Sequence, residues 1–211
     1  MHLCLKPMLI ISVLLVGCER RTVHPATEVP SGSASPPVQA SNTPESTPKR
    51  VKLRTVDEVD LDRFMGKWYE YARYQNAFQK DIVGVIAEYR IRGDGRIDVI
   101  NTGRVGALDG PLNRSESVGW VVEGSKNTRW RVEFFWPLTA PYWIIDLDED
   151  YQYAVVGQPS RKYLWILSRS PQLDDNTYEG ICHRLKDQGY DPTKLIKTPQ
   201  PASSMADALP E

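Results

Sequence analysis

Few side chains in the central part of this 211-residue chain could carry chemistry: Glu70, several tyrosines, and the neighbours Cys182 and His183. Cys182 and His183 cannot act together as nucleophile and base, because adjacent helix positions diverge by about 100°. With His183 as the single histidine there, the parts for a metal site or a Ser/His/Asp arrangement are lacking. We expect no metal and no cofactor. Catalysis would depend on Glu70, and buried acids more often serve as hydrogen-bonded partners of backbone or arginine groups.

Aromatic residues show which part of the chain folds. All six Trp and ten Tyr lie between Trp68 and Tyr190, which predicts one folded domain over residues 55–197. The formal net charge is −1, from 26 basic and 27 acidic side chains. Because no large positive field exists, we expect no nucleic-acid binding. Of the three cysteines only Cys182 lies in this domain, which excludes an internal disulfide framework.

The first 17 residues are typical of an export signal, because Lys6 precedes an apolar run over residues 8–16 that leads to Gly17 and Cys18. Residues 15–18, Leu-Val-Gly-Cys, resemble the lipobox of bacterial lipoproteins, in which the cysteine is acylated. The resemblance implies a membrane anchor at Cys18. A transmembrane helix is the alternative, but it would need about 20 apolar residues, roughly twice this run. The residue after Cys18 is Glu19, whereas lipoproteins retained in the inner membrane usually have an aspartate at this position. Glu19 therefore favours an outer-membrane anchor, with the domain facing the periplasm.

Both flanks of the domain lack the composition of a folded core. Residues 18–54 contain six prolines among Ser, Thr, Ala and Gly and no aromatic residue, which predicts a disordered tether behind the lipidated cysteine. As a flexible coil this segment would hold the domain roughly 30 Å from its anchor. Residues 198–211 have the same character and are predicted to be a disordered tail.

The domain itself is predicted to be all-β. Short runs rich in β-branched and aromatic residues alternate with Gly, Pro, Asn and Asp. Eight such runs predict strands at residues 67–74, 83–92, 96–104, 115–123, 128–136, 142–147, 151–156 and 163–168. Their short connections favour antiparallel hairpins, and the lack of intervening helices excludes a parallel α/β sheet.

One helix is predicted after the strands, over residues 173–188, because Tyr178, Ile181 and Leu185 recur at helical spacing and Gly189 ends the pattern. We expect it to pack outside the sheet, with residues 191–196 as a short extension. Eight antiparallel strands can form a sandwich or a closed barrel, and alternation in residues 128–136 fits both. Closure alone removes exposed strand edges.

Three short motifs carry a resemblance to the lipocalin family. Residues 66–73, Gly-Lys-Trp-Tyr-Glu-Tyr-Ala-Arg, resemble its first signature, and residues 164–169, Leu-Trp-Ile-Leu-Ser-Arg, resemble its last. Residues 148–156 are similar to the middle signature but depart from its Thr-Asp-Tyr form. The resemblance covers residues 60–196 and is closest to bacterial outer-membrane lipoprotein lipocalins and apolipoprotein D. It implies an eight-stranded antiparallel up-and-down barrel with one C-terminal helix packed outside.

The resemblance also implies roles for three structural residues. Gly66 would allow a tight turn into the first strand, and Trp68 would plug the closed end of the barrel. Arg169 would lie over Trp68 as a cation–π lid.

Strict alternation from Trp68 predicts which side chains point into the barrel and are candidates for ligand contact. Each could equally fill a solid core, and only the family resemblance favours a cavity. The predicted inward residues are Glu70, Ala72, Tyr74, Val85, Ala87, Tyr89, Val99, Asn101, Val132, Phe134, Tyr153, Val155 and Trp165.

The resemblance implies a binding protein for a fatty acid, lysophospholipid or similar amphiphile in the bacterial envelope, not an enzyme. Two alternatives remain: a lipid-modifying enzyme on the same barrel, and a filled barrel that serves as an interaction domain. The sequence also leaves open whether two barrels pair as a homodimer.

Overall fold

A computed structural model of the chain describes residues 51–135 and 137–201, and for Phe134 and Phe135 the backbone alone. The predicted signal segment, Cys18 and most of the predicted tether and tail lie outside these residues. The inner ends of the predicted tether and tail belong to the folded part instead, because Leu53 is 4% exposed and Thr198 is 5% exposed. Among the residues described, no helix is long and apolar enough to cross a bilayer.

Nine strands and two helices make up the described domain. The short helix α1, Leu61–Phe64, precedes the strands, and helix α2, Asp175–Asp187, lies between the last two. The strands are β1 Gly66–Tyr74, β2 Ile82–Ile91, β3 Ile97–Val105, β4 Leu112–Val121, β5 Arg129–Phe135, β6 Leu138–Leu147, β7 Tyr153–Gly157, β8 Leu164–Ser168 and β9 Leu195–Lys197. Single 3-10 turns occupy Ala77–Gln79 and Pro192–Lys194.

Strands β1 to β8 close into one antiparallel barrel. Each strand from β2 to β8 pairs with its sequence neighbour, and β1 pairs with both β8 and β2. This closure confirms the predicted up-and-down barrel and excludes the sandwich. Strand β9 is an addition to the prediction: it pairs with β1 over Ala72–Tyr74. The pairing of β1 with β2 spans only Gly66–Tyr69 of β1, and β9 pairs with residues of β1 that come after it.

The barrel has two different ends. The closed end carries α1 and the connections 92–96, 122–128 and 148–152. The opposite end, here called the mouth, carries the connections 75–81, 106–111, 136–137 and 158–163. Strand β6 begins at the mouth four residues earlier than predicted and includes Pro141, which pairs with Arg131 of β5. Proline usually marks a break in a strand, which is why the sequence placed the start too late.

Register shifts in four strand pairs change which side chains point inward. They fall between Glu70 and Ala72 in β1, between Val83 and Ile86 in β2, between Glu133 and Phe135 in β5, and between Ile144 and Asp146 in β6. An extra residue in one strand of a pair reverses the alternation beyond it, because side chains alternate with a period of two.

Helix α2 packs against the outside of the barrel, as predicted. Asp174 caps its N-terminus by accepting a hydrogen bond from the Thr177 backbone N–H at 2.9 Å. Ile181 and Leu185 are buried on a cluster that contains Tyr71, Ile145, Val155 and Ile166 of the barrel wall. His183 is exposed and Cys182 is half-buried on this outer helix, far from the barrel interior.

Candidate functional site

The closed end is sealed by a tryptophan beneath an arginine. Trp68 is fully buried, and its indole N–H donates to the Phe64 carbonyl at 2.8 Å. The Arg169 guanidinium lies 3.7 Å from the centre of the Trp68 ring. It also donates to the carbonyls of Lys67, Arg63 and Met65 at 2.7, 2.6 and 3.0 Å. Gly66 takes a φ of +89°, which glycine adopts without strain, and starts β1 directly over this lid.

A second aromatic layer lies above Trp68 and completes the floor of the barrel. The rings of Phe64, Tyr89, Trp130 and Tyr142 pack with centroid separations between 5.3 and 6.2 Å. The hydroxyls of Tyr89 and Tyr142 are 2.6 Å apart and hydrogen-bonded to each other. Burial raises the pKa of both hydroxyls well above the ordinary value, so both stay neutral. The floor is therefore apolar with one uncharged polar pair.

Short side chains form the wall above this floor. Ala87, Val99, Val132, Ala154 and Val156 belong to the buried interior cluster. Gly119 faces the same interior, since it pairs directly with Ile97 and Val132 of that cluster. Small residues at these positions occupy less of the barrel width than the large rings of the aromatic floor. An eight-stranded barrel is wide enough for side chains or for one small ligand.

Most of the predicted inward residues face the interior. Ala87, Tyr89, Val99, Val132 and Trp165 belong to the interior cluster or pack on it. Val85 shares a face with Ala87 by alternation, and Asn101 pairs directly with Ala87. Glu70 also points inward, because it pairs with the interior residue Leu167. The side chain of Phe134 is outside the described part of the chain.

The inward orientation predicted for Ala72, Tyr74, Tyr153 and Val155 is wrong. All four belong to the cluster between the barrel wall and helix α2 or pack on it. In β1 the irregularity after Glu70 reverses the alternation, so that Arg73 replaces Ala72 as the next inward residue. In β7 the predicted inward and outward positions are shifted by one residue. The small Ala154 and Val156 face the interior, whereas the larger Tyr153 packs outside.

Sequence reasoning missed several interior residues that strand pairing would have found. Tyr142 pairs with Trp130, and Ser117 pairs with Val99, so each shares the inner face of its partner. Arg73 had no such signal, because nothing in the sequence announces the bulge at Tyr71. The interior residues not predicted include Arg73, Ile97, Ser117, Gly119, Tyr142, Ile144, Ala154, Val156 and Leu167.

A buried polar cluster lies between the wall and the mouth, centred on Glu70. Its carboxylate accepts hydrogen bonds from Arg73 Nη1 at 2.6 Å, Thr198 Oγ1 at 2.6 Å and Gln79 Nε2 at 2.7 Å. Arg73 also donates to the carbonyls of Gln79 and Ile82. Glu70 therefore ties together the β1–β2 connection, strand β1 and the segment after β9.

The mouth is lined by aromatic and polar side chains. Phe78, Tyr163 and Trp165 pack with ring centroids 5.6 to 6.4 Å apart. The Trp165 indole N–H donates to Gln79 Oε1 at 2.9 Å. A depression of about 220 Å³ lies between the β1–β2 connection and residues 196–199, and its lining includes Arg73 and Gln79.

The arrangement fits binding better than catalysis. Both oxygens of Glu70 are already engaged, and Cys182 lies on the outer helix. Among the described residues, no group of three or more His, Cys, Asp or Glu side chains could hold a metal ion. What the interior offers is apolar surface above an aromatic floor, with polar groups near one end.

Comparison with known proteins gives matches over the same region. The family model of the Lipocalin-like domain matches residues 59–200. Temperature-induced lipocalin-1 of Arabidopsis thaliana is 35% identical over 164 residues, which is 72% of this chain and 85% of that protein. Outer membrane lipoprotein Blc of Vibrio cholerae is 36% identical over 149 residues, 70% of this chain and 86% of the relative. Apolipoprotein D of Bos taurus is 27% identical over 152 residues, 68% and 78% of the two chains.

Among solved structures, insecticyanin from the tobacco hornworm Manduca sexta superimposes with a TM-score of 0.57. The match covers 72% of this chain and 85% of insecticyanin at 24% identity. At that identity the likeness concerns the fold alone.

Proposed function

Because this chain belongs to the lipocalin family, whose members bind small hydrophobic ligands, we propose that it binds a fatty acid, lysophospholipid or similar amphiphile. The ligand would lie inside the barrel, for storage or transport in the bacterial envelope. One observation carries the proposal: a closed barrel has a solid aromatic floor at one end and a wall of short side chains above it. Burying an acyl chain against this wall would contribute about 25 cal/mol per Å² of apolar surface.

The polar groups near the mouth support an amphiphile over a pure hydrocarbon. Arg73 is 5% exposed, and its Nε has no hydrogen-bond partner among the described residues. Buried polar atoms in native proteins normally have partners. A ligand that enters tail first would place its head group toward Arg73. Fatty acids should therefore bind more tightly than fatty alcohols of equal chain length.

A bulky substitution on the inner wall of the barrel tests the proposal. A Val132→Trp variant places a large ring in the interior and should weaken binding of a fluorescent fatty acid about tenfold or more. Val118→Trp is the matched control, because Val118 lies between the inward-facing Ser117 and Gly119 and points outward. Native mass spectrometry of the purified protein would identify a lipid that copurifies. Equal binding by parent and Val132→Trp, or no lipid binding by the parent, would reject the proposal.

We propose no chemical step on the ligand. Lipocalin relatives are generally binding proteins, and the three hydrogen bonds of Glu70 describe a structural brace. Turnover of a supplied lipid that disappears in a Glu70→Gln variant would establish the enzyme instead. Failure of every lipid probe to bind would leave an interaction domain with a filled barrel.

We infer the location from the relatives and the sequence together. The chain is similar to proteins named outer membrane lipoproteins, which supports a place in the cell envelope. We propose that acylation of Cys18 anchors it in the outer membrane and that the barrel faces the periplasm. The mass of the purified protein in solution would show whether two barrels pair.

A further inference from the structure

Large apolar side chains are exposed around the mouth. Leu138 is 69% exposed at the start of β6, and Leu112 is 62% exposed at the start of β4. Phe78, Val105 and Leu108 lie on the other mouth connections or beside them and are 41–58% exposed. Among the described residues of the closed end, one large apolar side chain is comparably exposed: Ile91, at 44%. Exposed apolar groups gathered at one end of a protein mark a contact surface.

The two ends of the barrel also differ in charge. The mouth connections hold three basic residues against two acidic ones, with Lys80, Arg161 and Lys162 as the basic set. The segments 55–65, 92–96, 122–128 and 148–152 at the closed end hold nine acidic residues against four basic ones. An anionic surface would therefore attract the mouth and repel the closed end.

The N-terminal chain joins the domain at the mouth. The carbonyl of Val51 accepts a hydrogen bond of 2.6 Å from Arg161 Nη2, which belongs to the mouth connection 158–163. From there the chain descends along β6, where the Val56 N–H donates to the Ile144 carbonyl at 3.1 Å. It reaches the closed end at Val59, whose N–H donates to the Lys126 carbonyl. The described chain thus begins at the mouth.

We propose that the mouth docks onto an anionic lipid bilayer, with the apolar side chains of its rim in the interface, and takes its ligand directly from that bilayer. The rim is Phe78, Val105, Leu108, Leu112 and Leu138. The proposal rests on the proposed function, since it assumes that the ligand is a lipid. The anchored Cys18 and the rim would then contact one membrane, so that the tether presents the mouth to the leaflet that holds its anchor.

Ligand uptake from vesicles tests the docking. The full chain with Cys18→Ser is mixed with vesicles of phosphatidylethanolamine and phosphatidylglycerol that contain a fluorescent lysophospholipid. If the mouth docks, the uptake rate rises with vesicle concentration, and Leu112→Ser/Leu138→Ser slows it about tenfold. Ile91→Ser is the control at the closed end, where it also replaces an exposed apolar side chain by serine, and its rate should match the parent. All variants share the same leader and tether, so differences between them report the rim.

Two further measurements separate the possible failures. All three proteins should bind the same probe with equal affinity when it is supplied as monomers in solution. If none binds, the proposed function fails, whereas equal vesicle uptake by all three overturns the docking alone. Hydrogen exchange of the full chain should show vesicle-dependent protection at residues 106–111 and none at residues 92–96. A rim variant that only converts a dimer to a monomer, with unchanged uptake, would assign the rim to a second copy and overturn the proposal.

Discussion

Single residues decide how the closed end is sealed. Trp68 and Arg169 are 101 positions apart in the sequence, yet the guanidinium covers the indole and links the carbonyls on both sides of Gly66. The family motifs predicted this contact between residues, although strand periodicity could not. Arginine suits the position because its planar group stacks on a ring and donates several hydrogen bonds at once.

Truncation of Trp68 to alanine should destabilise the domain by about 3 to 5 kcal/mol, because it empties a fully buried site. Urea unfolding followed by circular dichroism measures the change. Trp120→Ala serves as the control, since Trp120 is half-buried on the outer face of β4 and should cost less. An unfolding midpoint equal to that of the parent would contradict the sealing role of Trp68.

Tyr190 should make the stability depend on alkaline pH. Burial raises the pKa of its hydroxyl to about 12, and the hydroxyl donates to the Gln158 carbonyl at 3.0 Å. Unfolded tyrosine titrates near pH 10, so this contribution is complete below about pH 10 and is lost as pH rises through about 12. Denaturant unfolding between these pH values should show a falling stability. The fall should be shallower in Tyr190→Phe, and an identical slope would refute the assignment.

At the level of strands, periodicity predicted the eight strands better than it predicted which of their side chains face inward. Alternation from Trp68 placed Glu70 correctly and then failed at Ala72, because one extra residue at Tyr71 reverses the pattern. The same reasoning held along β2 and β3, where Ala87, Tyr89 and Val99 face inward. A bulge leaves no reliable mark in a single sequence. The inward-facing side chains of bulged strands therefore could not be identified from the sequence.

The segment after β9 is an element that composition alone assigned to a disordered tail. Thr198 is buried because its hydroxyl donates to Glu70 and accepts from Arg73 at 3.0 Å. Thr198→Val should therefore cost about 1 to 3 kcal/mol, since it leaves buried charged partners short of a hydrogen bond. It should also speed amide exchange over residues 195–200. Thr198→Ser keeps the hydroxyl and should restore most of the stability; equal losses in both variants would rule out the hydrogen bonds as the cause.

For the whole molecule, the sequence predicted all eight barrel strands and the outer helix, and the family resemblance supplied their closure. It did not predict β9, because three residues are too few for a pattern. The ends of the folded domain were also misplaced by a few residues, since Leu53 and Thr198 are single buried residues within polar surroundings.

The anchor is predicted to decide where the whole molecule resides. Cys18→Ser removes the acylation site, and a single export segment alone should not hold the protein in the membrane. We expect the variant to move from the membrane fraction to the soluble fraction after cell fractionation and immunoblotting. Ser12→Ala within the leader is a control that should leave the distribution unchanged. A Cys18→Ser protein found wholly in membranes would disprove lipidation as the means of attachment.

Closure of the barrel also has a kinetic consequence. Tyr69 of β1 pairs with Ser168 of β8, so the last hydrogen-bonded seam joins residues 99 positions apart. Contacts so distant along the chain make folding slow, because much entropy is lost before the seam repays it. A chain that emerges amino end first from a translocation machine cannot close until β8 has followed. The partly closed chain, with the edges of its unfinished sheet exposed, would then be the species most prone to aggregation and the one that a chaperone would need to protect.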